Sequence, residues 1–545
     1  MKITLQNILS IAFVVLALVL APSVMAQKGK VAKAKQKNQD LAYASSIEIY
    51  EGLLAKGMDS TEVAGDLARS YYEVRDMEIA AEWYAIAIEN SPSADDVYRY
   101  AEALKSSGEY EKAQEQMKRY AEMNSEDERA KMHLSDENYF ADLLEDNGRF
   151  QLTLLEENTD QSDFSPAFYG DKVVFVSARA EGVSVKRRFA WNNAPFLDLF
   201  VSSVSEDGGL NTATSFSEMI NSPMHEGPLT FTKGDSVVYF TRNNFAKGKA
   251  TKSAEDIINL NIYYSEKGVE GWSVPKAFAF NNDEYSVGHP SISKDGKTMY
   301  FSSDMPGGYG GADVYKSTMK EDGSWSEPTN LGSLINTESD ELFPFIHADG
   351  TLYFASEGLL GLGGLDVFEV RTKNGLFIEP VNMGAPVNTE KDDFGFILSD
   401  DQTSGYLSSN RKGGKGDDDI YHFLMEKEEP LILAGKVINA ADGEDLEGAL
   451  VRLKDASGNV VEETTMGEDA SFSFELDKSQ CGYYVEARNG EYWTQFDSDK
   501  TACDLTEGTI DLGDIPLEEM KWGAEGTIKD KYTGEGLDGF RIILT

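Results

Sequence analysis

The sequence predicts a multidomain protein with an α-helical solenoid, an all-β propeller of about five blades and an Ig-like or prealbumin-like β-sandwich. Three internal repeats carry this prediction. A helical pattern in residues 41–149 repeats after 33 residues, a β pattern in residues 150–426 repeats about every 53 residues, and the pattern that opens residues 430–519 begins again 91 residues later. Self-similarity at a fixed period is the sequence signature of repeat architectures.

The helical repeat depends on small residues at matching positions of two units. Ala68 and Ala80 in the first unit correspond to Ala101 and Ala113 in the second. Small side chains let paired helices approach closely, and large residues three or four positions away fill the groove between them. The pattern resembles the tetratricopeptide repeat, which implies a solenoid whose concave face binds a peptide or a helix.

Tyr72, Arg75 and Arg99 are predicted to contact a partner protein. They fall outside the packing positions of the helical repeat, so we expect their side chains to be free to face a partner. Every recurrent residue of the β repeats, in contrast, has a turn or packing role that explains it. The main protein contact is therefore expected at the helices rather than in the propeller channel.

The β repeat contains four short segments per copy, which is what a propeller blade requires. Its clearest segment is found at 300–304, 353–357 and 406–410, where aromatic residues are followed by small and polar ones. Residues 150–163 look like the outer strand that the last copy lacks. We therefore expect them to pair with the last blade near Tyr421, which closes the ring and protects edge strands.

Aspartates recur in the turns of the blades, and we interpret them as structural because short acidic side chains bind backbone N–H groups in turns. These residues are Asp295, Asp313, Asp349, Asp366 and Asp419. A bound Ca²⁺ is the alternative, since hard oxygen ligands suit it. His289 and His347 fall in equivalent strands near the central channel, where packing or hydrogen bonding is expected. No metal or cofactor site is predicted, because the five histidines form no HxxxH or HxH pair.

Residues 430–519 alternate apolar residues with glycines at bends, as a small antiparallel sandwich does. Residues 520–545 repeat its first strands and are interpreted as the start of a second, truncated sandwich. Cys481 and Cys503 are the two cysteines of the chain. We predict a disulfide between them in the exported protein, with two buried free thiols as the alternative.

Residues 1–26 have the pattern of a secretory signal peptide, with Lys2 before an apolar run and small residues before Gln27. An uncleaved membrane anchor is the alternative, but the apolar run is shorter than the ~20 residues that a spanning helix needs. Residues 27–40 are interpreted as a solvated basic linker, with contact to anionic lipid or cell-wall polymer as the alternative. The protein is therefore expected outside the cytoplasm.

The charge and the motifs exclude several classes of function. The formal net charge is −44, from 50 basic and 94 acidic residues, and such a chain repels the phosphates of nucleic acids. The sequence contains no phosphate loop, dinucleotide fingerprint or Gly-x-Ser-x-Gly elbow. The turn at 293–298 resembles that of sialidase propellers, but the clustered arginines that bind a carboxylate are missing. We predict that the protein is not an enzyme.

The order of these regions is similar to that of a family of Bacteroidetes-type envelope proteins. In this OmpA family, a signal peptide, tetratricopeptide repeats, a TolB-like or WD40-like propeller and a carboxypeptidase-regulatory-like sandwich occur together, as in the PorE-like component of the type IX secretion system. The lipid-anchoring cysteine expected of PorE-like lipoproteins is absent from this sequence.

The resemblance implies a non-enzymatic scaffold for envelope proteins at the periplasmic side of the outer membrane, in type IX secretion or cell-wall linkage. Peptidoglycan binding is implied only through a C-terminal OmpA-like domain that these 545 residues do not include. The alternative is a glycan- or peptide-binding, or sensing, propeller protein.

Overall fold

The computed structural model describes residues 27–519 with the exception of 90–91, 136–138, 147, 180–187, 233, 247, 374, 427–430, 468, 477–481, 491 and 498–507. The chain forms two compact units, one ending at Glu426 and the other beginning at Lys427. The predicted signal peptide, the truncated sandwich and the pair Cys481 and Cys503 lie outside the described residues. No helix in the described ranges has the length and apolar character needed to cross a membrane.

Eight α-helices precede the first strand in the described chain. They are α1 (residues 27–39), α2 (Tyr43–Leu54), α3 (Ala64–Glu73), α4 (Met77–Ala87), α5 (Ala94–Lys105), α6 (Tyr110–Met123), α7 (Glu128–Ser135) and α8 (Tyr139–Leu143), with a 3-10 turn at Ser60–Glu62. Helix α5 begins with a capping box, in which the side chains of Ser93 and Asp96 each accept from the other residue's backbone N–H.

The predicted tetratricopeptide solenoid is wrong, because most of the described elements are strands and the helices form no extended superhelix. Helix α3 packs on α4 and α5 on α6, but α7 has 8 residues and α8 has 5. A solenoid requires a longer row of full repeats. Ala68 and Ala80 are fully buried as expected, so the alanine pattern reports the close packing of two helices rather than the number of pairs that stack.

The propeller has five blades, each a sheet of four or five strands. Strand β1 (Phe150–Leu154) belongs to blade 5. Blade 1 contains β2 (Asp163–Tyr169), β3 (Lys172–Ser177), β4 (Asp198–Ser203) and β5 (Thr214–Ser215). Blade 2 contains β6 (Glu226–Phe231), β7 (Val237–Asn243), β10 (Leu260–Gly268), β11 (Gly271–Trp272) and β12 (Lys276–Ala277), and a hairpin of β8 (Phe245–Ala246) and β9 (Lys249–Ala250) is inserted.

The remaining blades follow the same order. Blade 3 contains β13 (Val287–Ile292), β14 (Thr298–Ser303), β15 (Asp313–Thr318) and β16 (Thr329–Asn330). Blade 4 contains β17 (Glu341–Ile346), β18 (Leu352–Ser356), β19 (Asp366–Val370) and β22 (Val381–Asn382), with an inserted hairpin of β20 (Thr372–Lys373) and β21 (Leu376–Phe377). Blade 5 contains β23 (Asp393–Leu398), β24 (Ser404–Ser409) and β25 (Asp419–Met425) together with β1.

The first strand of the propeller closes the ring on its last one. Strand β1 pairs antiparallel with β25, with Phe150 opposite Met425 and Leu154 opposite Tyr421. This is the pairing that the sequence predicts. The edge of β25 is thereby covered within the molecule, which removes a template for association with another chain.

In each blade, the third strand is hydrogen-bonded to one asparagine in the segment that connects this blade to the next blade. Its side chain accepts from the N–H and donates to the C=O of a single residue in the third strand of the blade, as a neighbouring strand would. The five pairs are Asn158 with Ile420, Asn221 with Leu199, Asn281 with Ile262, Asn336 with Val314 and Asn388 with Val367.

The second unit is a seven-stranded sheet. Its strands are β26 (Leu431–Asn439), β27 (Leu450–Lys454), β28 (Val460–Thr465), β29 (Ser471–Glu475), β30 (Tyr484–Asn489), β31 (Tyr492–Asp497) and β32 (Gly508–Glu519). They are ordered β28-β27-β30-β31-β32-β26-β29 around one apolar core. The sequence predicts a small antiparallel sandwich, whereas β26 and β32 run parallel. A parallel pair needs a long connection, and residues 440–507 provide it.

Candidate functional site

The five innermost strands of the propeller, β2, β6, β13, β17 and β23, surround a central channel. The channel contains a cavity of about 410 Å³, and each of the five blades contributes residues to its wall. None of the described residues that line it belongs to a helix. Ligand sites commonly have volumes of about 300–1,000 Å³, so this cavity has the size of a binding site.

Each innermost strand contains a β-bulge near the start of the channel. Four bulges hold a residue in the left-handed region: Ser165 at φ 50°, His289 at φ 51°, Phe343 at φ 52° and Gly395 at φ 60°. Only glycine takes this conformation without strain. In any other residue, the conformation costs about 1–3 kcal/mol of folding free energy. Bulges bend a strand and re-aim its side chains, so these positions shape the end of the channel.

The backbone donors of the channel wall are engaged by neighbouring blades. The N–H of Ile292 donates to Thr230 Oγ1 at 3.3 Å, and the N–H of Ile346 donates to Ser291 Oγ at 3.0 Å. At the bulges, the N–H of His289 donates to Thr241 Oγ1 at 2.8 Å. The inner strands are therefore held to one another by side-chain hydroxyl groups.

The two histidines predicted near the channel both line the cavity. His289 stacks on Phe343 with ring centroids 4.2 Å apart, and burial lowers the pKa of His289 to about 4, so its imidazole is neutral at pH 7. His347 lies between blades, with Nε2 3.1 Å from the carbonyl oxygen of Ser399 and Nδ1 2.9 Å from Asp349 Oδ1. Both make the packing and hydrogen-bonding contacts that the sequence suggests.

The far end of the channel, formed by the hairpin turns, is more polar. Lys294 of blade 3 forms an ion pair with Asp400 of blade 5, and both line the cavity. Asp235 of blade 2 is half-buried there, and burial raises the pKa of its carboxyl group. Half-buried phenylalanines reach the cavity between these polar groups and the bulges, among them Phe168, Phe231 and Phe345.

The turn aspartates all accept backbone N–H groups near them, which is the arrangement that a structural role requires. The donors are Lys297 for Asp295, Tyr309 for Asp313, Thr351 for Asp349, Gly363 for Asp366 and Lys415 for Asp419, at 2.6–3.1 Å.

A glycine lies against the carboxylate in three of these turns. A Cβ atom at Gly308, Gly361 or Gly414 would lie 1.8–2.1 Å from the Oδ2 atom of the aspartate in the same turn. The Oδ1 atoms of Asp313, Asp366 and Asp419 have no hydrogen-bond partner among the described residues. Within the same ranges, no group of three acidic, histidine or cysteine side chains could hold a metal ion.

Tyr72, Arg75 and Arg99, the residues predicted to contact a partner, all contact other residues of this protein. Arg75 forms an ion pair with Glu357 and lies 3.6 Å from Asp392, both in the propeller. Arg99 pairs with Glu73 at 2.8 Å and lies over the ring of Tyr72 at 5.0 Å. Burial raises the pKa of Tyr72 well above its ordinary value. Binding of an external partner at these residues stays a prediction.

The helices and the propeller also meet at other points. The hydroxyl groups of Tyr98 and Ser339 lie 3.2 Å apart, and Arg129 donates to the same serine at 3.1 Å. Trp191 of blade 1 donates through Nε1 to the carbonyl oxygen of Glu73 at 2.8 Å. The helical face that the sequence assigns to a partner is thus in contact with the protein's own blades.

Comparison with known proteins gives likeness of fold only. No family model matches the chain, and no curated protein matches it. A TolB-type protein from Agrobacterium tumefaciens is 13% identical with a TM-score of 0.29, over 63% of this chain and 99% of its own. The family 117 glycoside hydrolase Zg3597 from Zobellia galactanivorans is 13% identical with a TM-score of 0.33, over 51% and 90% of the two chains.

A third structure is CoXyl43, a family 43 β-xylosidase/α-arabinofuranosidase from a compost microbial metagenome. It is 12% identical with a TM-score of 0.34, over 58% of this chain and 97% of its own. The prediction that the protein is not an enzyme is contradicted by these likenesses and is withdrawn, because glycoside hydrolases are found among the propeller-like neighbours. At such identities and TM-scores, they show no activity in this chain.

Proposed function

We propose that the protein binds a small ligand in the central channel of its propeller, as a binding or sensing protein. The observation that carries the proposal is the cavity of about 410 Å³ to which all five blades contribute. The pairing of β1 with β25 closes the ring and holds the channel wall in place, because the edge of β25 is hydrogen-bonded within the propeller. The helical layer is the weaker candidate, since its inner face contacts the blades.

We also propose that the protein is exported and acts in the periplasm, associated with the outer membrane, with envelope proteins as partners. The pattern of residues 1–26 supports export. The resemblance to OmpA-family envelope proteins supports the location, with type IX secretion or cell-wall linkage as the setting. Cell fractionation with N-terminal sequencing should find a periplasmic or outer-membrane chain beginning at Gln27. A cytoplasmic chain beginning at Met1 would contradict this.

Ala348→Trp should block the channel without disturbing the fold. Ala348 is exposed, lies at the polar end and lines the cavity, so an indole there fills space that belongs to solvent or ligand. We expect ligands found by a thermal-shift screen on the full chain to bind this variant at least about tenfold more weakly in calorimetry, a loss of about 1.4 kcal/mol. The melting temperature of the free protein should not change.

Val274→Trp is the matched control, because Val274 is 69% exposed and does not line the cavity. Ligands should bind it as they bind the unaltered protein. Equal affinity of the ligands for Ala348→Trp and for the unaltered protein would show that the channel is not the site.

A further inference from the structure

We propose that the ligand of the channel is a neutral oligosaccharide. This inference rests on the proposed ligand-binding function and names the chemical class of the ligand. Three features of the channel wall support it: backbone donors of its inner strands are occupied, half-buried aromatic residues line it, and the charges of its described residues are nearly balanced.

The occupied donors argue against an extended peptide. A peptide that adds to a sheet edge gains its affinity from main-chain hydrogen bonds. Four of the five inner strands have a proline directly after the bulged position, and proline has no N–H to donate. These are Pro166, Pro228, Pro290 and Pro344. Farther along, the N–H groups of Ile292 and Ile346 already donate to the neighbouring blade, so the channel offers few main-chain partners.

The aromatic rings suit the flat face of a sugar. Phe168, Phe231 and Phe345 come from blades 1, 2 and 4, line the cavity and are half-buried. The C–H face of a pyranose ring packs on an aromatic face, while its hydroxyl groups require polar partners. Thr230 and Ser291 accept N–H groups in the wall, and each hydroxyl still carries an O–H that can donate.

The charges of the wall favour an uncharged ligand. Apart from the histidines, Lys294 is the only basic residue in the described lining, and it is paired with Asp400. Among the described lining residues, an anionic ligand would therefore find no unpaired lysine or arginine, and it would also meet the field of a chain with a formal charge of −44. The remaining carboxyl group of the described lining belongs to Asp235, whose pKa is raised by burial.

Calorimetry on the full chain with a defined set of probes tests the proposal. The probes are the neutral trisaccharides of glucose, xylose and N-acetylglucosamine, a trisaccharide of uronic acid and an uncharged capped peptide. We expect a neutral trisaccharide to bind and the uronic acid to bind at least about tenfold more weakly. The affinity of the neutral sugar should stay within about twofold between ~0.05 and ~0.5 M salt, because screening acts only on charges.

Phe168→Leu and Phe345→Leu remove a flat ring while keeping an apolar side chain. Each should weaken sugar binding about tenfold without a large change in melting temperature. Phe377→Leu is the matched control, since Phe377 is also half-buried but does not line the channel, and it should bind the sugar like the unaltered protein.

The outcomes separate the ligand class from the site. Failure of all three neutral trisaccharides to bind overturns the oligosaccharide proposal. Peptide binding that Ala348→Trp abolishes leaves the channel as the site but shows that the ligand class is wrong. Ligand binding that Ala348→Trp leaves unchanged overturns the proposed function itself.

Discussion

Deletion of residues 150–163 is expected to abolish the cooperative unfolding of the propeller. The deletion removes β1, whose pairing with β25 closes the ring, and it removes Asn158, which binds both backbone groups of Ile420. Blade 5 would then have three strands and an exposed edge. Thermal unfolding followed by near-ultraviolet circular dichroism should show a broad transition at lower temperature. A melting curve equal to that of the unaltered chain would disprove ring closure as the source of stability.

Phe150→Ala tests the same junction with a single side chain. Phe150 is 4% exposed and its ring lies 5.6 Å from that of Phe423. Removal of such a buried ring costs about 3–5 kcal/mol. Leu424→Ala is the matched control in the partner strand, because Leu424 is 52% exposed and should cost less than ~0.5 kcal/mol. Equal losses of unfolding free energy in the two variants would contradict the prediction.

Glu341→Gln is expected to stabilise the protein at alkaline pH. Burial raises the pKa of Glu341 from 4.5 to about 8, and the carboxyl of Asp313 adds to the rise. Corresponding acids in other blades have an arginine partner, as Asp393 has Arg411. Glu341 instead accepts from the N–H and hydroxyl of Thr337 and from the hydroxyl of Ser356.

The folded state binds the Glu341 proton more tightly than the unfolded state does. Stability from this group is therefore complete below pH ~4.5 and is lost as the pH rises through ~8, by about 4–5 kcal/mol at most. Glutamine resembles the protonated acid, so the variant should lose this component of the pH dependence. Urea unfolding at several pH values measures it, with exposed Glu379→Gln as the control. A variant with the same pH dependence as the unaltered protein would refute the assignment.

The propeller could be predicted from the sequence because its determinants are local and recur. Tyr300, Tyr353 and Tyr406 mark the same strand in three blades, and all three are buried. The solenoid could not be predicted correctly, because buried alanines such as Ala68 are needed for any close helical pair. A pattern within one pair contains no information on how many pairs follow or on what covers their inner face.

The candidate site was only partly visible in the sequence. The two channel histidines were found through their equivalent positions, since blade symmetry brings such positions to the axis. The contact of Arg75 with Glu357 joins residues 282 positions apart, and no periodic pattern links them. The left-handed backbone at His289 and Phe343 had no local signal, because a following proline favours extended backbone with a negative φ in the residue before it.

The pairing of β1 with β25 also sets an order of events during synthesis. The strand that completes blade 5 is made first, but its partner strand is made about 270 residues later. Until Met425 has been synthesised, β1 has no place to pair, and contacts of such long range slow folding. Blade 5 therefore lacks its outer strand pairing, and the ring stays open, until the last strand of the propeller has been made.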